Sequence, residues 1–356
     1  MQISVAVPGE LGQAEISAWH RMQAQNSSLA NPFLSPEFAI AAGRHQPGTR
    51  VAVLTDGPAI AGFFPFERRA LGLGVPIVDG LTDAQGLVHA PGVDWDPPAL
   101  LRACQVSRWK FDHLVADQRP FQPYFCALVP SPVIDLTDGF PAYQQRLREN
   151  SPQFWQNLCR KTRKLEREAG DLRFEPDSHD PAGLRVVMRW KSAQYHRNGW
   201  VDVFERPWVT ALIEDLFRTR GAWCSGQLSL LYAGGTPVAG HFGIRSRRML
   251  AHWFPSYNTA FARQSPGLIH QLRLAEATAG LGIGLIDLGT GMERYKKTLR
   301  SRDLLVAEGV VARDWRAASL HRAGATLSGW ARREARRHPP LKRAADRVLR
   351  HYGRVA

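Results

Sequence analysis

Two stretches hold the side chains best suited to chemistry. One is Arg263-Gln264-Ser265-Pro266-Gly267, a polar loop that opens a helical segment beginning at Leu268. The first turn of a helix carries N–H groups without intrahelical partners, and the helix dipole adds partial positive charge there. Such a loop suits a phosphate or another anion, although an ordinary helix start has the same composition. The other stretch begins at Asp287, in the apolar run Leu285–Leu288, and passes through Gly289-Thr290-Gly291 to Tyr295 and Lys296. A carboxylate at a strand end can serve as a base when burial raises its pKa. It can equally cap the following turn through an Asx-type hydrogen bond. Glu293 is a second acid, more at home on the surface. Lys296 can pair with a phosphate or carboxylate and Tyr295 can donate a proton, or both can simply pack over the rim of a sheet.

Other candidates have bland readings at least as good. His241 and His252 fall on neighbouring strands, where a hydrogen-bonded structural histidine is the commoner case. Trp190, Tyr195, His196 and Trp200 surround one helix and its exit, as a cleft wall or as ordinary packing. The basic run Arg160–Arg167 also contains Glu166, with Glu168 just beyond, so part of its charge pairs along a solvated helix face. A polyanionic acceptor, a nucleotide-linked sugar or tRNA, is the sharper reading. Four scattered cysteines without a C-x-x-C pair speak against a zinc site or a disulfide framework, and no metal is expected.

These residues must be positioned by two units, since 356 residues exceed one ordinary core. Residues 1–130 alternate strand-like and helical runs: a strand at Ile3–Val7, a helix at Glu10–Gln25, and Ser35-Pro36 as a helix start. Strands at Val51–Leu54 and Ala59–Glu67 follow, then a helix at Pro97–Lys110 and a strand at Phe111–Leu114. Residues 131–312 open with a linker strand, Pro130–Leu136, and the helices Phe140–Glu149 and Phe154–Ala169, the latter stopped by Gly170. The helices Leu184–Asn198 and Pro207–Thr219 precede an antiparallel meander, Leu228–Tyr232, Thr236–Ser246 and Met249–Tyr257. The helix Leu268–Gly280 and the strand Leu285–Leu288 complete the unit. The fold class expected is α/β (α+β), with mixed, mostly antiparallel sheets flanked by helices.

The net charge of +14 is uneven. Eleven Arg or Lys against two acids between Trp315 and Ala356 give that segment +9, leaving only +5 for the rest. Residues 313–356 read as a tail of two short basic amphipathic helices. Such a tail is suited to peripheral contact with an anionic membrane, to nucleic acid, or to packing on the second unit. The N-terminus lacks the order of a signal peptide, and no apolar run reaches the ~18 residues of a membrane span. A cytoplasmic protein is expected, with any membrane contact peripheral at the inner face.

The serial order of NPFLSPEF, a basic helix ending in Gly, LSLLYAGGTPVAGHFG, HWFPSYNTAFARQSPG and IDLGTGMERYKKTL resembles the CelD/BcsL-type (BioF2-like) acetyltransferase domain of the GNAT superfamily. That domain is similar to the FemAB peptidyltransferases, which pair two GNAT-like units. The resemblance runs from about Asn31 to Leu299. It implies transfer of an acyl group from acyl-CoA, acetyl-CoA for instance, to an amine or hydroxyl of a small-molecule or glycan-precursor acceptor in the cell envelope or an exopolysaccharide. It implies pantetheine against the strand Val238-Ala239-Gly240, whose amides would polarise the carbonyl. The pyrophosphate would sit on the N–H groups of Ser265, Gly267 and Leu268, with Arg263 and Gln264 in the same loop. Asp287 would be the base for direct attack by the amine, Tyr295 the acid for the thiolate, and Lys296 a partner for acceptor or donor charge. The loop departs from the glycine-rich GNAT pattern, with one glycine and a proline that removes a donor. Two alternatives follow: an aminoacyltransferase of FemAB type using aminoacyl-tRNA, and a non-catalytic polymer- or membrane-binding protein on the same fold.

Overall fold

The computed structural model describes residues 1–291 and 293–313. Apart from Arg313, the tail expected over 313–356 lies outside the described residues. The strands are β1 (Gln2–Ala6), β2 (Thr49–Asp56), β3 (Ala59–Arg68), β4 (Leu73–Val75), β5 (Val88–His89), β6 (Arg108–Val115) and β7 (Phe125–Asp135). They continue as β8 (Leu172–Glu175), β9 (Ser225–Ala233), β10 (Thr236–Arg245), β11 (Met249–Tyr257), β12 (Leu285–Asp287) and β13 (Arg302–Ala312). The helices are α1 (Gln13–Gln25), α2 (Pro36–His45), α3 (Pro97–Ala103), α4 (Gly139–Asn150) and α5 (Pro152–Ala169). After them come α6 (Pro181–Asn198), α7 (Pro207–Arg218), α8 (Pro266–Gly280) and α9 (Arg294–Leu299). This is the mixed α/β fold expected, with a mostly antiparallel sheet flanked by helices.

Local chemistry explains most boundaries. The Ser35 hydroxyl accepts the N–H of Phe38 at 3.2 Å and Pro36 opens α2, as its sequence predicts. Gly170, with φ +90°, ends α5. Gly234 and Gly235, both at positive φ, make the two-residue β9–β10 turn that demands such residues. α3 stops at Ala103, short of the expected Lys110, because Gln105 adopts φ +56° and the chain turns into β6. There Trp109 and Phe111 point inward in strand alternation.

The strands form one continuous sheet in the order β1-β2-β3-β4-β6-β13-β7-β12-β11-β10-β9-β8, with β5 beside β3. The expected break at residue 130 falls inside β7. Two facts make the halves interlock. First, β13 from the end of the described chain lies between β6 and β7, antiparallel to both. Second, one apolar core runs across the division: Trp19, Phe33, Phe38 and Phe63 from the first half meet Val187, Phe242 and Trp253 from the second. The Phe33 and Trp253 rings stand edge-on at 5.1 Å. Among the described residues, no helix is long and apolar enough to cross a membrane.

Gly309 sits where β13 is squeezed between its neighbours, opposite Phe111 and Phe125. A Cβ there would clash with the Tyr124 carbonyl oxygen and the Phe111 ring. Gly309→Ala should lower the unfolding free energy by about 1–3 kcal/mol, read as a reduced denaturant midpoint.

Candidate functional site

The parallel pair β11–β12 is held over three rungs, Met249–Leu285, Leu250–Ile286 and Ala251–Asp287, and then pairing stops. The residues that follow on each strand, His252–Pro255 and Leu288–Thr290, line a cavity of about 200 Å³. Its far wall comes from the first half of the chain, through Gly80–Asp83 and His113, and α6 contributes Lys191 and Tyr195. The cavity therefore exists only where the two halves meet.

The wall from the first half is a chain of polar contacts. His113 Nε2 lies 2.9 Å from the Thr290 hydroxyl and 3.9 Å from Asp83 Oδ1, while its Nδ1 lies 3.0 Å from Asp112 Oδ1. Gln85 fixes this pair: its Oε1 accepts the N–H groups of Asp112 and His113 at 3.0 Å each, and its Nε2 donates to Asp112 Oδ1 at 2.7 Å. Burial pulls the imidazole toward neutrality, but the Asp112 hydrogen bond and charge, with Asp83 and Asp287, leave its pKa above the ordinary value. Burial pushes the Asp112 pKa up, but the His113 hydrogen bond and charge, with the Gln85 hydrogen bond and the Lys110 charge, together leave it below the ordinary value. Asp83, 22% exposed, is pushed up to about 6 by burial, with His113 opposing and Asp287 reinforcing the shift. Gly289, at φ +70°, passes so close that a Cβ there would lie 3.1 Å from both Asp83 oxygens.

Two lysines and two tyrosines complete the lining. Lys191 donates to the Pro255 carbonyl at 3.3 Å, and burial, reinforced by the charge of Lys296, brings its pKa down to about 8. Lys296 is buried; its Nζ donates to the carbonyls of Gly289 at 3.2 Å and Thr290 at 2.8 Å and pairs with Glu293 at 3.4 Å. Burial first, then Glu293 and Asp83, hold the Tyr295 phenol far above its usual range, so it stays protonated. His252 stacks on His241 at 4.4 Å, and burial keeps both neutral.

Several expected site residues sit elsewhere than anticipated. Asp287 is 3% exposed and does not line the cavity. Its Oδ1 accepts from Ser131 Oγ at 2.7 Å and Gly289 N at 3.0 Å, and its Oδ2 from Asn31 Nδ2 at 3.1 Å. With both oxygens engaged, it has the Asx-type cap and not the reach of a base. Ala239 and Gly240 are buried in β10 and paired with both β9 and β11, so their amides serve the sheet, while Val238 is buried at a bulge in the β9–β10 register. The edge left unpaired is that of β11, beyond Ala251. At the start of α8, Ser265 N donates to Ala262 O at 3.1 Å and Leu268 N to Ser265 O at 3.0 Å. Of the three amides expected to cradle a pyrophosphate, only Gly267 lacks such a bond among the described residues. Lys161 of α5 donates to Ser265 Oγ at 2.7 Å, while Gln264 donates to Glu168 at 2.7 Å and Arg263 is exposed. The expected Tyr295 and Lys296 do face the cavity, and Tyr195 with them.

Asp83, Asp112, His113, Thr290 and Lys191 are site residues that no local motif marks. Asp112-His113 inside the apolar strand WKFDHLV was the available signal, since paired polar residues mid-strand ask for partners. Among the described residues, one trio has its potential metal-ligand atoms close together: His196, Asp202 and Glu205, near the end of α6 and outside the cavity lining. The His196 ring there already bridges the two carboxylates, at 3.5 and 3.2 Å.

Residues 152–297, about two-fifths of the chain, match the family model of the acetyltransferase (GNAT) domain. No curated protein matches the chain. Among solved structures, FemX is similar in fold, with 10% identity and TM-score 0.53 over 81% of this chain and 94% of its own. So is the C-terminal DUF2156 domain of a provisionally assigned lysylphosphatidylglycerol synthetase from Agrobacterium fabrum, with 12% identity and TM-score 0.51 over 88% and 96%. A conserved protein of unknown function from Bacteroides thetaiotaomicron gives 13% and 0.51 over 83% and 97%. The matched segment extends from α5 into α9. It supplies β11, β12 and both cavity lysines.

The raised pKa of Asp83 has a stability consequence. A carboxyl with folded pKa about 6 against the ordinary 3.8 stabilises the fold at low pH, and this is lost as pH rises through about 6. Asp83→Asn should therefore unfold at higher denaturant than the parent above pH 6, with the difference shrinking toward pH 4. Asn31→Ala, which strips one donor from buried Asp287, should cost about 1–3 kcal/mol in the same measurement.

Proposed function

We propose that the protein is a GNAT-type acyltransferase that moves an acyl group from acyl-CoA to an amine of a cell-envelope or exopolysaccharide precursor. One observation carries this reading: where β11 and β12 part, a carboxyl group with pKa about 6 and two lysines surround a small cavity. An amine becomes a nucleophile by losing a proton, and Asp83 is poised to take it near neutral pH. Lys191, whose ammonium is bonded to one carbonyl, supplies positive charge for the oxyanion that forms as the acyl carbon becomes tetrahedral. Tyr295, kept protonated by burial, is placed to donate a hydrogen bond to the departing sulfur. Lys296 holds the Gly289–Thr290 backbone in place.

The cavity takes only the reacting ends of the two substrates. The rest of an extended donor follows the open edge of β11 toward Tyr257, which packs against Gly267 at the start of α8. There the Gly267 N–H and Lys161 would hold its phosphates. The acceptor class and the placement near the CelD/BcsL-type group rest on the order of motifs in the chain. The lysylphosphatidylglycerol synthetase among the structural neighbours bears a name of the same envelope theme. The thin amide cradle at α8, beside the exposed basic face of α5, favours aminoacyl-tRNA as the second reading of the donor.

Calorimetric titration with acetyl-CoA, longer acyl-CoAs and charged tRNA separates these donors, and binding by an acyl-CoA is the expected outcome. Asp83→Asn should lower kcat by about 10²–10⁴-fold without weakening donor binding. The parent's rate should rise with pH through about 6, as the base ionises. Absence of binding by every acyl-CoA would overturn the donor assignment, and an unchanged rate in Asp83→Asn the base.

A further inference from the structure

The hydroxyl of Thr290 has a setting that transfer by direct attack does not require. It faces the cavity from a tight Gly289-Thr290-Gly291 turn whose two glycines have φ +70° and +124°. His113 Nε2 lies 2.9 Å from it, and Asp112 Oδ1 lies 3.0 Å from His113 Nδ1. An ionised Asp112 accepts a hydrogen bond from Nδ1–H, and in the neutral imidazole Nε2 is then the acceptor aimed at the hydroxyl. Hydroxyl, imidazole and carboxylate in this order are the nucleophile, base and orienting group of covalent acyl transfer. A hydrogen bond serving only to tie β6 to the turn would need neither Asp112 nor the three hydrogen bonds by which Gln85, 3% exposed, fixes Asp112 and His113. The turn itself is pinned from both sides, by Asp83 against Gly289 and by Lys296 on the carbonyls of Gly289 and Thr290. A nucleophile must be held in that manner to attack along one direction.

We propose that Thr290 is a nucleophile that carries the acyl group covalently between donor and acceptor, with His113 as its base and Asp112 as the orienting group. Thr290 Oγ attacks the acyl carbonyl of a thioester and its proton passes to His113 Nε2. The carbon–sulfur bond breaks, the thiolate takes that proton and leaves as a thiol, and the acyl group remains as an ester on Oγ. In the second half the acceptor amine gives up its proton to Asp83 and attacks the ester carbonyl. The carbon–Oγ bond breaks, and the proton held by Asp83 passes by way of His113 Nε2, 3.9 Å from Asp83 Oδ1, to Thr290 Oγ, which leaves Asp83 ionised again. This deepens the acyltransferase reading and rests on it for the donor class; the ester route on Thr290 stands independently of CoA.

The test therefore uses two acyl probes without acceptor, acetyl-CoA and p-nitrophenyl acetate, each acid-quenched for intact-mass and peptide analysis. One acetyl group per chain on Thr290, within the tryptic peptide 274–294, is expected from both. Labelled free CoA should exchange into acetyl-CoA in the absence of acceptor. Thr290→Ser should retain adduct and exchange, whereas Thr290→Val should lose both while binding acetyl-CoA as tightly as the parent. Asp83→Asn should keep the exchange and lose only transfer to the amine. An adduct from p-nitrophenyl acetate without CoA binding would overturn the donor and leave the nucleophile standing. Bound acetyl-CoA with no adduct, no exchange and full transfer by Thr290→Val would overturn the nucleophile and leave the acyltransferase standing.

Discussion

The buried carboxylate of Asp287 is the contact on which the site depends. It ends β12, and its three hydrogen bonds reach Asn31 from the first half, Ser131 on β7 and the backbone N–H of Gly289. A desolvated carboxylate is costly to bury unless donors surround it, so the three segments are obliged to converge. Once they have converged, β12 cannot continue beside β11. The chain instead turns through two glycines, and the turn brings Thr290 to His113. Asp287 thus governs the cavity from behind its wall, and its raised pKa reflects that position, with burial the main cause.

The sheet topology supplies the second constraint. β13 lies between β6 and β7, so the last described strand joins a wall belonging mostly to the first half. β6 carries Asp112 and His113, and β7 carries Ser131; the pairing of both with β13 sets the separation of the groups that meet at the cavity. The shared core of Trp19, Phe33, Phe38 and Trp253 fixes the other side, and the Trp253 indole N–H donates to Leu81 O at 2.7 Å beside the cavity. Rigid-body motion between halves is opposed by continuous strand pairing. The loop residues that line the cavity, Gly80–Asp83 and Leu288–Thr290, are therefore carried on one continuous sheet.

Charge is distributed to match. The first half brings carboxyl groups, Asp83 and Asp112, with one imidazole, and the second brings Lys191 and Lys296. Each depresses or raises its neighbours: Lys296 lowers the pKa of Lys191, and Asp287 raises that of Asp83. Low exposure amplifies these effects because water is not there to screen them. Asp83 and Lys191 move toward neutrality, chiefly through burial, while Asp112 and His113 move toward their charged forms.

Much of the fold was legible locally. Ser35-Pro36, Gly170 and the Ala233-Gly234-Gly235 turn marked their boundaries, because capping and positive φ are decided within a few residues. The meander and the helix after it were legible from periodicity, and Tyr295 and Lys296 from lying just beyond a glycine turn. Asp287 was noticed for the right reason, a carboxylate at a strand end, yet whether it faces a cavity or three donors depends on Asn31 and Ser131, 256 and 156 residues away in the chain. The pairing of His113 with Thr290 spans 177 residues and leaves no local trace. Strand order is equally remote: β10 is paired on both sides, and the strand with an open edge is β11, beyond Ala251. The sequence by itself determined most of the elements, though not α9 or β13, together with the class of fold and the chemistry-bearing turn. Only the tertiary structure decided which groups meet, because contacts across a sheet are set by the packing of its far ends and not by neighbours along the chain.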